Sequence, residues 1–174
     1  SDTLGFIDDR VLLTVGVRRQ TMEIDSWNTS SGARNPSFDK SITTPVYGLV
    51  VKPWENVSFY ANRIEGLAQG PTSPASAANP NEVFPPKRSK QVEAGVKFDG
   101  DTYGATLGVY RIEQPNSSTS RSNVFSVDGE QVNKGVEMNV FGEPVDGLRL
   151  LAGATFMHTE LDKTSGGATD GNRA

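Results

Sequence analysis

From Lys90 to Gly100 the chain reads KQVEAGVKFDG. Val92, Ala94, Val96 and Phe98 are apolar, and Gln91, Glu93, Gly95 and Lys97 between them are polar or lack a side chain. Side chains alternate sides along a strand, so this period of two predicts a strand with one apolar and one polar face. In a soluble protein the apolar face meets a core. In an outer-membrane barrel it meets lipid, and the polar face lines a water-filled lumen.

The same period recurs along the chain and predicts about seven strands. VLLTVGVRRQ (11–20) places Val11, Leu13, Val15 and Val17 on one side, and PVYGLVVK (45–52) follows. VSFYANR (57–63) sets Val57, Phe59 and Ala61 against Ser58, Tyr60 and Asn62. After 89–98 come YGATLGVYRI (103–112), VNKGVEMNVF (132–141) and LRLLAGATFMHT (148–159). No segment carries a sustained helical period with caps, so the chain is all-β.

The connections alternate in length. Residues 21–44, 65–88 and 113–131 read as long, whereas PWEN (53–56), DGD (99–101) and GEPVDG (142–147) are short, and the chain beyond Leu161 reads as another long polar loop. Sandwiches show turn signals every 8–12 residues without this alternation. Outer-membrane barrels have short turns at one end and long loops at the other. Gln91, Glu93, Lys97, Glu137 and Asn139 on the polar faces would need partners in a dry core but cost little against a hydrated lumen. The expectation is an antiparallel up-and-down meander, part of a large outer-membrane barrel, with the wet face inside.

Composition changes this picture little. A hydrophobic content of 35% is low for a globular domain, and 18 Gly and 10 Pro favour many turns. A formal net charge of −4 argues against a nucleic-acid partner. The absence of cysteine excludes disulfides and Cys-based zinc sites. No apolar run is long enough for a spanning helix, which leaves a spanning barrel open. The strand pattern begins almost at residue 1 with no leader before it, as expected of a fragment or processed chain.

The ordered series TTPVYGLVVKPWENVSFYANRIEGLAQG, FPPKRSKQVEAGVKFDG, ATLGVYRIEQPN and GEQVNKGVEMNVFGEPVDGLRLLAGATF resembles the barrel of TonB-dependent siderophore receptors, of the ferrichrome type. The family's elements fall on Gly48-Leu49, Lys52-Pro53, Tyr60-Ala61, Glu65-Gly66-Leu67, Pro86, Gln91 with Glu93-Ala94-Gly95-Val96-Lys97, and Lys134-Gly135-Val136-Glu137. The resemblance implies a bacterial outer-membrane location and a barrel of about 22 strands. The whole chain, 1–174, would be one barrel segment, lacking the family's plug domain, its TonB-contacting segment and its C-terminal strands. The implied function is binding and gated uptake of a ferric siderophore with no chemical step. TonB is met through the missing N-terminal region, outer-membrane lipid surrounds the barrel, and iron arrives only as part of the ligand, with no other cofactor.

The resemblance also points to a ligand pocket lined by aromatic and hydrogen-bonding groups at the outer end. The candidates are Trp27, Arg34 and Phe38 in the first long loop and Phe84, Lys87 and Arg88 at the end of the second, with the cations attracting an anionic chelate. Tyr47, Tyr60, Gln91, Glu93, Lys97, Tyr110, Glu137 and Asn139 are assigned to the lumen. Each has a plainer explanation: loop residues pack on neighbours, and aromatics gather at membrane interfaces. Trp54 in the short turn fits an aromatic girdle. His158, the only histidine, builds neither a triad nor a metal site. The competing expectation is a soluble β-sandwich binding carbohydrate through Trp27 and Trp54. It requires Val92, Val96 and Val140 in a closed core. A hydrolase lacks any nucleophile–His–acid signature.

Overall fold

The computed structural model describes residues 1–25, 27, 31–34, 38–164 and 170–173, with backbone only at 24 and 38–40. Its strands are β1 (Asp2–Phe6), β2 (Val11–Ile24), β3 (Phe38–Trp54), β4 (Val57–Ala68), β5 (Lys87–Asp99), β6 (Tyr103–Thr119), β7 (Phe125–Val145) and β8 (Leu148–Lys163). They form one sheet in chain order, every neighbouring pair antiparallel. The up-and-down meander expected from the alternation is present. Among the described residues the free edges are the outer sides of β1 and β8.

Two features differ from the sequence-based expectation. An eighth strand, β1, precedes the first one expected. Only Leu4 and Phe6 mark its alternation, too short a run for period two to register. The long connections are also shorter than their polar composition implies. β6 and β7 continue through the supposed 113–131 loop and leave only residues 120–124 between them. Polar strand ends need no apolar period when both faces are wetted, and ladder hydrogen bonds carry them.

Among the described residues no second sheet covers the apolar face. Among the described residues the buried apolar side chains are Ala77 and Val132, whereas Val92 is 51% and Phe156 75% exposed. The sandwich expectation is therefore overturned. Val92 and Val140 lie open on the surface, and Val96 is half-buried with no opposing layer. What holds the sheet is the ladder, which satisfies backbone polar groups between strands.

The register divides the strand residues cleanly. Leu13, Leu49, Ala61, Ala94, Val109, Val136 and Phe156 share one face. On the other lie Thr14, Gly48, Asn62, Glu93, Tyr110, Gly135 and Met157. The strand glycines Gly16, Gly48, Gly95, Gly108, Gly135 and Gly153 are all on the polar face, and Gly142, at a register shift, is the exception. A sheet that curls crowds the side chains on its concave side, so residues without side chains there favour curvature toward the polar face.

Candidate functional site

The polar face carries a hydrogen-bonded layer at its centre. Tyr60 on β4 donates its hydroxyl to Glu93 Oε1 on β5 at 2.7 Å. Gln91 Nε2 donates to Glu93 Oε2 at 3.2 Å, and Asn139 Nδ2 to Glu137 Oε1 at 3.0 Å. The period of two makes these i, i+2 pairs neighbours on one face. Tyr60 and Tyr110 lie flat across glycines of the adjoining strands. A Cβ on Gly95 would meet the Tyr60 ring at 2.7 Å, and one on Gly135 the Tyr110 hydroxyl at 2.5 Å. Together these residues enclose a cavity of 240 Å³ that Thr106, Ile112 and Asn133 complete.

Outside the strand ladder, the β4–β5 connection folds onto the tip of the β6–β7 hairpin. Asn79 spans the gap, its Nδ2 donating to the Phe125 carbonyl and its Oδ1 accepting the Phe125 N–H, each at 2.9 Å. Ala78 N–H donates to Asn123 O at 2.7 Å, and Phe84 meets Phe125 edge to face with centroids 5.4 Å apart. A side-chain amide imitates a strand partner here, which fixes an otherwise free loop. Phe84, Lys87 and Arg88 then share the walls of a 460 Å³ cavity with Pro115 and Val127.

The structure thus gathers three of the six ligand candidates. Arg88 also reaches the buried Glu65, which accepts from Arg88 Nε at 2.5 Å and from Arg63 Nη2 at 3.1 Å. Trp27 and Arg34 form an isolated antiparallel bridge in a different connection and do not line that cavity. Arg34 is paired with Asp25, and this hydrogen bond and charge hold its guanidinium above the ordinary arginine pKa. The side chain of Phe38 lies outside the described residues.

Of the residues assigned to the lumen, Tyr60, Gln91, Glu93, Lys97, Tyr110, Glu137 and Asn139 share the polar face. Tyr47 does not. It pairs with Val15 and Arg63 on the apolar face and is 44% exposed. PVYGLVVK is apolar at nearly every position, so alternation within it could not separate the faces; its partner strands do. Thr106, Ile112 and Asn133 were missed because a threonine, an isoleucine and an asparagine carry no chemical signal of their own. Counting by twos outward from Tyr110 on β6 and Glu137 on β7 would have found them. Trp54 falls on the apolar face, at the end of the sheet opposite the long connections, in keeping with a girdle.

This arrangement can bind and line a passage; among the described residues no group of three or more metal-ligating side chains gathers. Comparison with known proteins agrees with the architecture. The family described as TonB dependent receptor-like, beta-barrel matches residues 1–174. The ferrichrome receptor FcuA of Yersinia enterocolitica is 44% identical over 180 residues, covering 100% of this chain and 24% of that protein. The crystal structure of BauA, the ferric preacinetobactin receptor from Acinetobacter baumannii, superposes with a TM-score of 0.78 at 42% identity, covering 99% of this chain and 26% of that one. The alcaligin receptor FauA from Bordetella pertussis, at 18% identity, shares the fold with a TM-score of 0.77, over 99% of this chain and 30% of its own. The chain spans about a quarter of the length of the first two. It belongs to the TonB-dependent receptor β-barrel family of bacterial outer-membrane proteins.

Proposed function

We propose that the receptor containing this segment takes up a ferric siderophore through TonB-dependent gated passage. The observation that carries this reading is identity at the 40% level along the whole chain to proteins named as ferric-siderophore receptors. The two faces support it. The polar face, with its Tyr60–Glu93 layer, is the lumen wall, and the exposed apolar face meets lipid. The aromatic and cationic cavity around Phe84 and Lys87 lies at the outer end, where a chelate arrives. Iron is cargo here, carried in by its chelator, and no chemical step is assigned to the protein. TonB is met through a region outside these 174 residues.

The test is binding by the full-length receptor in detergent, read as quenching of tryptophan fluorescence by ferrichrome and ferrioxamine B. Growth on the same chelates as sole iron source, with and without TonB, gives the transport arm. Saturable quenching and TonB-dependent growth are expected for at least one ferric chelate. A folded receptor that binds none across hydroxamate, catecholate and mixed types would sink the reading. Phe84→Ala with Lys87→Gln is expected to weaken binding about tenfold, since alanine scanning commonly finds 1 kcal/mol or more in a buried aromatic or cationic anchor.

A further inference from the structure

Strand β5 is laddered to β6 from Asp99 back to Lys90, and there, opposite Glu113, the pairing ends. Both strands run on beyond that point. Lys87, Arg88 and Ser89 stay paired to β4 on their other side, and Gln114, Pro115 and Asn116 stay paired to β7. Two hairpins, β4–β5 and β6–β7, therefore part company above one ladder. Pro85, Pro86 and Pro115 line the split. A proline has no N–H to lend to a ladder, so these edges do not zip together. The 460 Å³ cavity that holds Phe84, Lys87 and Arg88 is this split, with one wall from each hairpin.

Asn79, in the turn of the β4–β5 connection, closes the split at its far end. Its amide is fully engaged. Nδ2 donates to the Phe125 carbonyl at 2.9 Å and to Glu82 Oε2 at 2.6 Å, while Oδ1 accepts the Phe125 N–H. From the opposite side Asn123 Nδ2 donates to the Ser76 carbonyl at 2.6 Å. The connection that carries Asn79 is itself tied across. Thr72 bridges to Val83, Ser73 N–H donates to the Glu82 carbonyl at 2.8 Å, and Phe84 N–H donates to the Pro71 carbonyl at 3.0 Å. At its neck a Cβ on Gly70 would run into the Phe84 and Pro85 carbonyls. Asn79 in the turn and Phe84 at the base thus belong to one unit, which moves as a lever if the turn is released.

We propose that Asn79 is a positioning residue for ligand capture: by gripping the Phe125 backbone it joins the two hairpins and holds Phe84 and Lys87 across from Val127 and Asp128. This deepens, and rests on, the ligand cavity given under Proposed function. Among the described residues the ladder sets the spacing of the hairpins below the cavity, and the clasp with its Phe84–Phe125 ring contact sets it above. Neither end needs the ligand, so the cavity stands formed before a chelate arrives and binding is spared the cost of ordering two connections. The side chain is exacting. Aspartate keeps the acceptor, loses both donors and sets a second carboxylate beside Glu82, and alanine loses every bond.

The test uses the full-length receptor in detergent, with amide hydrogen exchange read by mass spectrometry and ferric-chelate binding read by tryptophan quenching. In Asn79→Ala, exchange is expected to quicken in segments 76–84 and 120–126 and to stay unchanged in 90–98, which shows that the barrel is folded. Chelate affinity falls about tenfold, as it would if the hairpins were then aligned roughly a tenth of the time. Asn79→Asp falls at least as far, and Lys163→Gln, away from the cavity, changes neither readout. In the Phe84→Ala, Lys87→Gln background the same Asn79→Ala change costs less than about twofold, because the groups it positions are gone. A merely structural loosening would cost the same in both backgrounds. Unchanged exchange in Asn79→Ala overturns the proposal, and so does unchanged affinity or full additivity with the Phe84/Lys87 pair. A wild-type receptor that binds no chelate removes the transport reading and the ligand role with it, while the exchange result still decides whether Asn79 joins the hairpins.

Discussion

Leu107 and Gly108 are consecutive residues, and between them the two faces of the sheet part ways. Leu107 is 46% exposed on a face of large apolar side chains with nothing over it. Gly108 is buried, and a Cβ there would stand 2.8 Å from the Tyr60 hydroxyl. The backbone is the same on both sides, so the difference lies entirely in what each face must satisfy. A face toward lipid needs only apolar groups and tolerates any shape, because acyl chains conform to it. On the proposed reading the polar face lines a passage and needs satisfied polar groups and limited bulk, in keeping with the tyrosines that lie across glycines there. Loose shape with strict polarity on one side is set against strict shape with permissive polarity on the other.

The most direct way to break this contrast is to move a charge across it. Leu107→Arg places a cation about 10 Å inside Arg111, near the middle of the apolar band. In the full-length receptor folded into vesicles it is expected to cost about 2–4 kcal/mol, as cations at the bilayer midplane do in other barrels. Thr106→Arg, one residue away on the polar face, should cost far less. Equilibrium unfolding in urea followed by tryptophan emission reads both. Equal losses would show that the faces do not differ in solvent.

The converse change tests shape. At Gly135 a side chain would meet the Tyr110 hydroxyl at 2.5 Å and the Phe156 carbonyl at 2.7 Å, and backbone oxygen cannot swing away. Gly135→Val is expected to lose about 1–3 kcal/mol, the usual range for overpacking. At Gly48 a Cβ would meet only the Thr14 side chain, no closer than 3.5 Å, an ordinary contact. Gly48→Ala on the same face should be nearly neutral. A reversed order of the two midpoints would remove close approach as the reason for glycine on this face.

These contrasts explain what the sequence could and could not reveal. Strand alternation at 90–98 and 132–141 made both faces legible, because polar or glycine positions take turns with apolar ones from Gln91 to Phe98 and from Gly135 to Val140. Tyr47 was misplaced because Val46, Tyr47, Leu49, Val50 and Val51 are apolar or aromatic on both parities. Only pairing to Val15 and Arg63 resolves its side. The basic residues that end the apolar runs were also present in the parity, since Arg111 follows Leu107 and Val109 by twos. How they line up depends on cross-strand register, which a single strand does not carry. The clasp from Asn79 to Phe125 was illegible altogether: it joins residues 46 apart through one amide.

A finer probe is the Tyr60–Glu93 hydrogen bond, which the polar face has and the apolar face does not. Tyr60→Phe keeps the ring over Gly95 and removes the hydroxyl. The expected loss is about 1 kcal/mol, the typical net worth of one such bond. Tyr60→Ala should cost more, since it also uncovers Gly95 and Gly108. If the two variants were equally destabilised, the hydroxyl alone would account for the loss and the ring would contribute nothing.

The smallest effect belongs where the contrast ends. At the outer reach of β7 and β8, Lys163 bridges to Glu130 at 2.7 Å with its side chain 65% exposed. An ion pair in water gains little because solvent screens it and two long side chains must be held still. Lys163→Gln should therefore leave the urea midpoint unchanged within error at physiological ionic strength. A shift as large as that of Tyr60→Phe would mean that the strand ends are not simply solvated arms. They would then be held in a drier setting, and the boundary between the two regimes would lie beyond Glu130 and Lys163.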